Sequence, residues 1–101
     1  MRIIGGRLKG KKIKYLKNNT TRPLRDFVKE SIFNLLVHSK VLNIKIEEAS
    51  ILDLYSGVGS FGIECISRGA KNVTFIENNS AANETIKKNL NNFLIFEKAK
   101  I

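Results

Sequence analysis

The sequence predicts an α/β fold in which the first strands and helices of a parallel, doubly wound sheet follow a basic hairpin and a helix. The strand from Ile51 to Tyr55 is apolar apart from Asp53 and leads into a glycine-rich turn that ends at Gly62. An amphipathic helix follows this turn, and a second apolar strand ends at Glu77. A strand, a glycine turn, a helix and an acidic strand end in this order are typical of a nucleoside-cofactor site.

Length and composition limit the class of protein. A chain of 101 residues forms one small domain, which buries roughly 65% of the surface of its unfolded chain. Cys65 is the only cysteine, so no internal disulfide can form; we expect a buried thiol, not a nucleophile, and a cytoplasmic protein. No apolar run reaches transmembrane length and no signal peptide is recognisable, so no membrane association is expected. His38 has no Cys, Asp or second His close in sequence, so no metal is expected.

The positive charge is concentrated at the N-terminus. Residues 1–25 contain nine Lys or Arg and no Asp or Glu, whereas residues 26–101 contain nine basic and nine acidic residues. The net charge of +9 therefore lies in the first quarter of the chain, which indicates an arm that binds a polyanion. Nucleic acid is the expected partner, because neutralised phosphates release their counterions. A solvated basic tail is the alternative.

The elements before the glycine turn follow from the pattern of apolar residues. Apolar side chains alternate with the charges of the N-terminus and glycines separate them, which favours a small β-hairpin. A helix is predicted from Asp26 to Val37, with its apolar positions on one face. These positions are Val28, Ile32, Leu35 and Leu36. The chain is thereby divided into a basic arm (1–25) that faces the expected nucleic acid, a helix with its connection (26–49) and the first part of a cofactor domain (50–101).

The elements after the glycine turn are predicted in the same way. The helix behind the turn covers residues 60–68 and ends at Gly69, the usual left-handed cap. Asn79 or Ser80 then caps a third helix. The segment from Phe93 to Phe96 is predicted to begin a third strand.

Two cofactors compete for the glycine turn. Glu77 can accept hydrogen bonds from the vicinal hydroxyls of a ribose, and the glycines let backbone N–H groups approach the ligand. A carboxylate at Asp53 would repel the pyrophosphate of a nicotinamide cofactor, whereas it can pair with the ammonium of S-adenosylmethionine. Asp53 therefore favours S-adenosylmethionine, although it could also cap the turn through the backbone.

Several motifs occur along the chain in a fixed order. They are Arg2-Ile3-Ile4-Gly5-Gly6-Arg7, Lys9-Gly10-Lys11-Lys12, Thr21-Arg22-Pro23, Val28-Lys29-Glu30-Ser31-Ile32-Phe33-Asn34-Leu35-Leu36, Leu52-Asp53-Leu54-Tyr55-Ser56-Gly57-Val58-Gly59-Ser60-Phe61-Gly62-Ile63-Glu64, Ser67-Arg68-Gly69-Ala70 and Phe75-Ile76-Glu77. Together they resemble the RsmD-type 16S ribosomal RNA guanine-N(2) methyltransferases, a bacterial family that uses S-adenosylmethionine. The resemblance covers nearly the whole chain.

The resemblance implies the Rossmann-like fold of S-adenosylmethionine-dependent methyltransferases, here incomplete, and methylation of a guanine exocyclic amine. It implies S-adenosyl-L-methionine as cofactor and 16S ribosomal RNA or the 30S subunit as partner, with a monomer for a full-length member. The implied cofactor-binding residues are Asp53, Tyr55, Ser56, Gly57, Gly59, Glu77 and Asn78. The implied RNA-binding residues are Arg2, Arg7, Lys9, Lys11, Lys12, Arg22 and Arg25.

One family motif is missing from these residues. Members carry an Asn/Asp-Pro-Pro-Tyr/Phe segment, whereas Pro23 is the only proline here. Acceptors of that segment hold the hydrogens of the guanine amine and aim its lone pair at the methyl group, and the aromatic ring stacks on the flipped base. The chain is therefore expected to be a truncated, N-terminal portion without catalytic residues and inactive alone. A non-enzymatic RNA-binding fragment and an NAD-binding Rossmann fragment are the alternatives.

Overall fold

The computed structural model describes residues 1–16 and 25–101, so that Arg22 and the Thr21-Arg22-Pro23 motif lie outside the described residues. The elements in chain order are α1 (Asp26–His38), β1 (Ser50–Leu54), α2 (Ser60–Ser67), β2 (Asn72–Ile76), α3 (Ser80–Asn92), a 3₁₀ turn (Phe96–Lys98) and β3 (Ala99–Lys100). The described strands form a parallel sheet in the order β1-β2-β3. Alternating strands and helices around a parallel sheet confirm the predicted partial Rossmann-like fold.

The N-terminal arm forms the predicted hairpin in a small version. An antiparallel bridge joins Arg2 to Lys12. The Ile3 N–H donates to the Lys11 carbonyl over 2.9 Å, and the Gly10 N–H donates to the Ile3 carbonyl over 2.8 Å. Three apolar side chains of the arm belong to the core, and they are Ile3, Leu8 and Ile13. The arm is therefore packed on the domain through its apolar residues and presents its charges to solvent.

The buried face of α1 differs from the predicted stripe. The fully buried residues are Lys29 and Phe33, whereas Leu35, predicted to be in the core, is largely exposed. The Phe33 ring packs on Phe61 with centroids 5.0 Å apart, and the Arg68 guanidinium lies 4.6 Å from its centroid. The helix is rotated toward these partners, which apolar periodicity within α1 could not reveal.

Strands β1 and β2 end at the same level. Asp53 pairs with Phe75 and Leu54 with Ile76, so that the turn after β1 and Glu77 after β2 start side by side. Parallel connections between successive neighbouring strands place α2 and α3 on one face of the sheet. That face holds Val73 and Phe75, both fully buried.

None of the described helices covers the opposite face of the sheet. Leu52, Leu54 and Ile76 alternate with the buried strand residues and are 60%, 57% and 49% exposed. None of the described helices is long and apolar enough to cross a membrane.

The predicted cap of α3 is confirmed, whereas the predicted start of the third strand is wrong. The Asn79 side chain caps α3 by accepting from the Ala82 N–H over 2.8 Å. Phe93 to Phe96 form a turn instead of a strand: Leu94 adopts a φ of +56°, and the Ile95 N–H donates to the Leu90 carbonyl over 3.0 Å. The apolar residues there close the end of α3, and β3 follows only at Ala99–Lys100.

Candidate functional site

The bend between β1 and α2 is fixed by its own hydrogen bonds. The Ser56 N–H donates to the Ile76 carbonyl over 3.0 Å, and the Ser56 hydroxyl donates to the Asp53 carbonyl over 2.7 Å. The Gly59 N–H donates to the Ser56 carbonyl over 2.9 Å. Tyr55 has a φ of +56° and is 92% exposed, an unusual conformation for an aromatic residue. The bend is therefore held by hydrogen bonds within the chain itself.

Gly59 in the bend is favoured by conformation and packing, and Gly62 in the first turn of α2 by packing alone. Gly59 has a φ of +89°, and a Cβ there would lie 3.3 Å from both Ile63 and Ile86. A Cβ on Gly62 would overlap the Phe75 ring. Gly62 thus allows α2 to lie close against β2, which holds the N-terminus of α2 above the strand ends.

Glu77 joins the bend to the start of α3. Its Oε1 accepts from the Gly57 N–H over 2.8 Å, and its Oε2 accepts from the Asn79 N–H over 3.0 Å. Each carboxylate oxygen can accept a second hydrogen bond. The carboxylate can therefore bind a pair of hydroxyls while it keeps both backbone partners.

Asp53 is a buried acid beneath the bend. Asp53 is only 8% exposed, and its Oδ2 accepts from the Gly62 N–H over 3.1 Å. Burial raises the pKa of Asp53 to about 6; the Gly62 hydrogen bond lowers this pKa and the Glu77 charge raises it. A cation that reached Asp53 would stabilise the ionised form.

These groups fit the cofactor predicted from sequence in their chemistry. Two carboxylates flank a glycine bend, one able to pair with an ammonium and the other with two hydroxyls. Asn78 is exposed beside Glu77. A cavity of about 350 Å³ is bordered by Gly6, Ile44 and Arg68, and none of the bend residues lines it. We call the surface formed by the bend and the Glu77 carboxylate the ledge.

The predicted RNA-binding cations are mostly solvent-facing. Arg2 also interacts with Asp26, at 3.9 Å between Nε and Oδ2. Arg22 lies outside the described residues. The exposed predicted cations are Arg2, Arg7, Lys9, Lys11, Lys12 and Arg25.

Glu64 of α2 fastens the arm to the cofactor unit. Its two carboxylate oxygens accept from the Ile4 and Gly5 N–H groups, each over 2.9 Å, and Arg68 Nε donates to Oε2 over 2.7 Å. Ser67 continues this attachment, since its hydroxyl accepts from the Leu8 N–H over 2.9 Å. Sequence reasoning gave Glu64 no role; the signal was an acid within an otherwise apolar helix, four residues before Arg68.

Lys29 of α1 completes the connection and was also missed. Its fully buried ammonium donates to the Arg2 carbonyl over 2.7 Å and to the Ser60 hydroxyl over 3.0 Å, and lies 3.3 Å from Glu64 Oε1. Burial lowers the pKa of Lys29, and the Glu64 charge opposes that shift. Lys29 thus links the arm to the first residue of α2.

Cys65 and His38 lie where the sequence placed them. Cys65 is buried, and burial raises the pKa of its thiol to about 12. His38 is exposed in the last turn of α1. Within residues 1–16 and 25–101, no group of three His, Cys, Asp or Glu side chains could hold a metal ion.

Comparison with known proteins gives consistent similarities along the whole chain. The model of a family described as Conserved hypothetical protein 95 matches residues 1–101. A Haemophilus influenzae protein named "Ribosomal RNA small subunit methyltransferase D" is 40% identical over 90 residues, covering 89% of this chain and 44% of the relative. The Bacillus subtilis protein "Putative rRNA methyltransferase YlbH" is 36% identical, covering 100% of this chain and 52% of the relative.

A solved structure shows the same architecture. The Escherichia coli protein "Putative methyltransferase yhhF" has a TM-score of 0.81 and 33% identity, and the match covers 99% of this chain and 49% of that one. The chain thus spans about half the length of the relatives it matches.

Proposed function

The chain belongs to the Conserved hypothetical protein 95 family, and on this premise we propose that it is the cofactor-binding and RNA-binding portion of a ribosomal RNA methyltransferase. The names of its relatives support this reaction class. The proposed cofactor is S-adenosyl-L-methionine, which supplies a methyl group on a sulfonium. The proposed substrate is a guanine exocyclic amine of 16S ribosomal RNA, met in the 30S subunit and hence in the cytoplasm.

The observation that carries the proposal is the pair of carboxylates at the glycine bend. In the proposed complex, Asp53 pairs with the ammonium of the cofactor and Glu77 accepts from the ribose hydroxyls. Backbone groups of Gly57 and Gly59 approach the ligand, and the positive φ angles of both glycines shape the bend that presents them. Tyr55, Ser56 and Asn78 border the same ledge. A pyrophosphate at this ledge would face both carboxylates, which disfavours NAD.

Calorimetry with S-adenosylhomocysteine and with NAD tests the cofactor. We expect heat of binding with the first and none with the second. Glu77→Gln should weaken binding by about tenfold or more, because a hydrogen bond to a charged acceptor is worth roughly 1.5–3 kcal/mol. Glu97→Gln, an exposed acid in the 3₁₀ turn, is the matched control and should bind as the parent does. Equal binding by both variants, or preference for NAD, contradicts the proposal.

The salt dependence of RNA binding tests the arm. Each phosphate contact contributes about −0.7 to the slope of log affinity against log salt on a single strand. We expect a variant with Arg7, Lys9, Lys11 and Lys12 changed to Gln to have a shallower slope than the parent. A slope that ignores these substitutions would place the RNA surface elsewhere on the protein.

A second candidate is an RNA-binding module in which the bend serves only the fold. The exposed cations of the arm favour it, as do the packing roles of Gly59 and Gly62. Salt-dependent RNA binding without any heat from S-adenosylhomocysteine would support this module over the methyltransferase portion.

A further inference from the structure

A buried amide of α3 connects the arm to the glycine bend. Asn89 is 1% exposed. Its Oδ1 accepts from the Lys14 N–H over 2.9 Å, and its Nδ2 donates to the Lys14 carbonyl over 3.0 Å. The same Nδ2 donates to the Val58 carbonyl, in the bend, over 3.3 Å. One side chain thus satisfies both backbone groups of Lys14 and holds them beside the bend.

The contacts of Asn89 decide which part of the arm is near the candidate cofactor site. The turn of the hairpin is bonded to the opposite end of α2, since the Arg7 N–H donates to the Ser67 carbonyl over 2.8 Å. The end of the arm that follows Lys12 instead reaches the bend at the start of α2. Arg7 and Lys14 therefore lie at opposite ends of the same helix.

Two side chains at this end are free to meet a ligand. Ile13 is buried, whereas Lys14 and Tyr15 are exposed, Tyr15 by 43%. A lysine attracts phosphate, and an exposed aromatic ring is a stacking surface for an unpaired base. The first 25 residues contain no Asp or Glu, so no carboxylate of the arm itself opposes a phosphate at this contact.

We propose that Lys14 and Tyr15 form a nucleotide-binding contact for single-stranded RNA at the edge of the glycine bend, and that Asn89 is the residue that positions it. The inference rests on the proposed function, since it names where the RNA meets the cofactor ledge. The nucleotide held at this contact is the one nearest the cofactor, and the distal cations bind the flanking backbone.

Fluorescence anisotropy with a short, labelled single-stranded RNA of mixed sequence tests the contact. Tyr15→Ala should weaken binding by about fivefold or more, as expected for the loss of one stacked base. Lys14→Gln should reduce the salt slope by about 0.7. Lys88→Gln, which changes an exposed lysine on α3, is the matched control. It should change the affinity and the salt slope less than Lys14→Gln does. Parent-like affinity in Tyr15→Ala and Lys14→Gln overturns the proposal.

Tyrosine emission gives a direct readout of stacking. The chain has two tyrosines and no tryptophan, so Tyr15 is the sole emitter in Tyr55→Phe. We expect RNA to quench this emission beyond its effect on free N-acetyltyrosinamide at the same RNA concentration. Quenching equal to that of the free compound means that no base stacks on Tyr15.

A double-mutant cycle tests the positioning role of Asn89. Asn89→Asp keeps an acceptor for the Lys14 N–H and removes the donor to Lys14 and Val58. If Asn89 positions Tyr15, the cost of Tyr15→Ala should be smaller in the Asn89→Asp background than in the parent. Strictly additive costs, with far-UV circular dichroism unchanged, would reduce Asn89 to a structural residue and overturn its assignment.

The two proposals fail in different ways. Absence of heat from S-adenosylhomocysteine refutes the cofactor assignment and leaves the RNA measurements unaffected. If the parent binds S-adenosylhomocysteine with measurable heat, but the Lys14 and Tyr15 variants bind RNA as the parent does, only the nucleotide contact is refuted.

Discussion

At the scale of single residues, Asp53 combines a fold role with the proposed ligand role. Its carboxyl is buried, accepts the Gly62 N–H, and has a pKa raised to about 6, mainly by burial. The folded state therefore holds the proton more tightly than the unfolded chain, in which the pKa is 3.8. An acid with a raised pKa opposes folding when it is ionised, so its effect has a definite sign.

The first prediction concerns stability against pH. Between the unfolded pKa of 3.8 and the folded pKa of about 6, the native state binds more protons, so the contribution of Asp53 to stability falls as pH rises. The loss is on the order of 2–3 kcal/mol. Urea unfolding of the parent and of Asp53→Asn at several pH values measures it. The difference between them should grow from acid to neutral pH in favour of Asn; a constant difference contradicts the raised pKa.

The second prediction concerns ligand affinity against pH. If the ionised Asp53 pairs with the ligand ammonium, affinity for S-adenosylhomocysteine should rise between about pH 5 and pH 7 and then level off. The Asp53→Asn variant should bind weakly with a flat profile. Calorimetry in buffers of different ionisation heat should also detect proton release by the parent near pH 6, around the pKa of Asp53. A parent profile as flat as that of the variant argues against this pairing.

Single residues were predictable where position in the chain determines position in the fold. Asp53 and Glu77 follow from their places at parallel strand ends, which must meet at one edge of the sheet. Lys29 and Asn89 were not found, because their partners are distant in sequence and a buried polar side chain looks like a surface one in a linear pattern.

At the scale of elements, the arm, α1 and α2 are joined by a buried ion pair. Glu64 and Lys29 have fully buried side chains, and both also bond the backbone of the arm. A buried pair of this kind adds little net stability compared with an apolar substitute, but breaking it is costly. Its benefit here is geometric, because it fixes the arm relative to the N-terminus of α2.

The third prediction follows from that ion pair. Glu64→Ala should lower the free energy of unfolding by about 3–5 kcal/mol, since it leaves the Lys29 ammonium buried without its charged partner. Urea unfolding measures the loss, and hydrogen exchange should show faster exchange of the Ile4 and Gly5 amides. Glu30→Ala, an exposed acid on α1, should cost no more than about 0.5 kcal/mol. Similar losses in both variants would contradict a special role for Glu64.

Elements were predicted well where local signals define them. Asn79 capped α3 and Gly69 followed α2, because cap residues act through their own backbone neighbours. The third strand was misplaced because Phe93 and Ile95 are apolar for a different reason: they pack against the end of α3. The burial of α1 was misjudged because Lys29 is drawn inward by Glu64, which no periodicity within the helix indicates.

At the scale of the whole molecule, the face of the sheet that no described element covers exposes apolar side chains. Leu52, Leu54 and Ile76 form an apolar patch beside the edge of β1 that pairs with no other described strand. Contiguous exposed apolar groups of this kind promote association in water. The exposed patch is a property of the described residues of this 101-residue chain.

The fourth prediction is self-association of this chain through the open face. Sedimentation should detect oligomers at micromolar concentration, and a dye that binds apolar surfaces should fluoresce. Leu52→Thr with Ile76→Thr should shift the population toward monomer and reduce the dye signal. Val41→Thr, an exposed apolar residue of the connection after α1, serves as control. Monomeric parent protein without dye binding would contradict this prediction.

The fifth prediction concerns methyl transfer by the chain as it stands. It contains one proline, Pro23, and hence no Pro-Pro-aromatic segment to orient a guanine amine. We expect no transfer of radiolabel from S-adenosylmethionine to 16S ribosomal RNA or to 30S subunits. The homologous full-length protein from Haemophilus influenzae, assayed in parallel, is the positive control. Label transferred by the 101-residue chain would refute the expectation.

The hydrogen bonds that Ser56 and Glu77 make to the bend have a consequence for fragment screening. These bonds restrain the backbone, which lowers the entropic cost of ordering it around a small compound. Adenosine alone and methionine alone should each bind separately at millimolar concentration. The fraction of protein that holds both compounds should then equal the product of the two separate bound fractions. This ledge is therefore a starting point for linking the two compounds into one inhibitor.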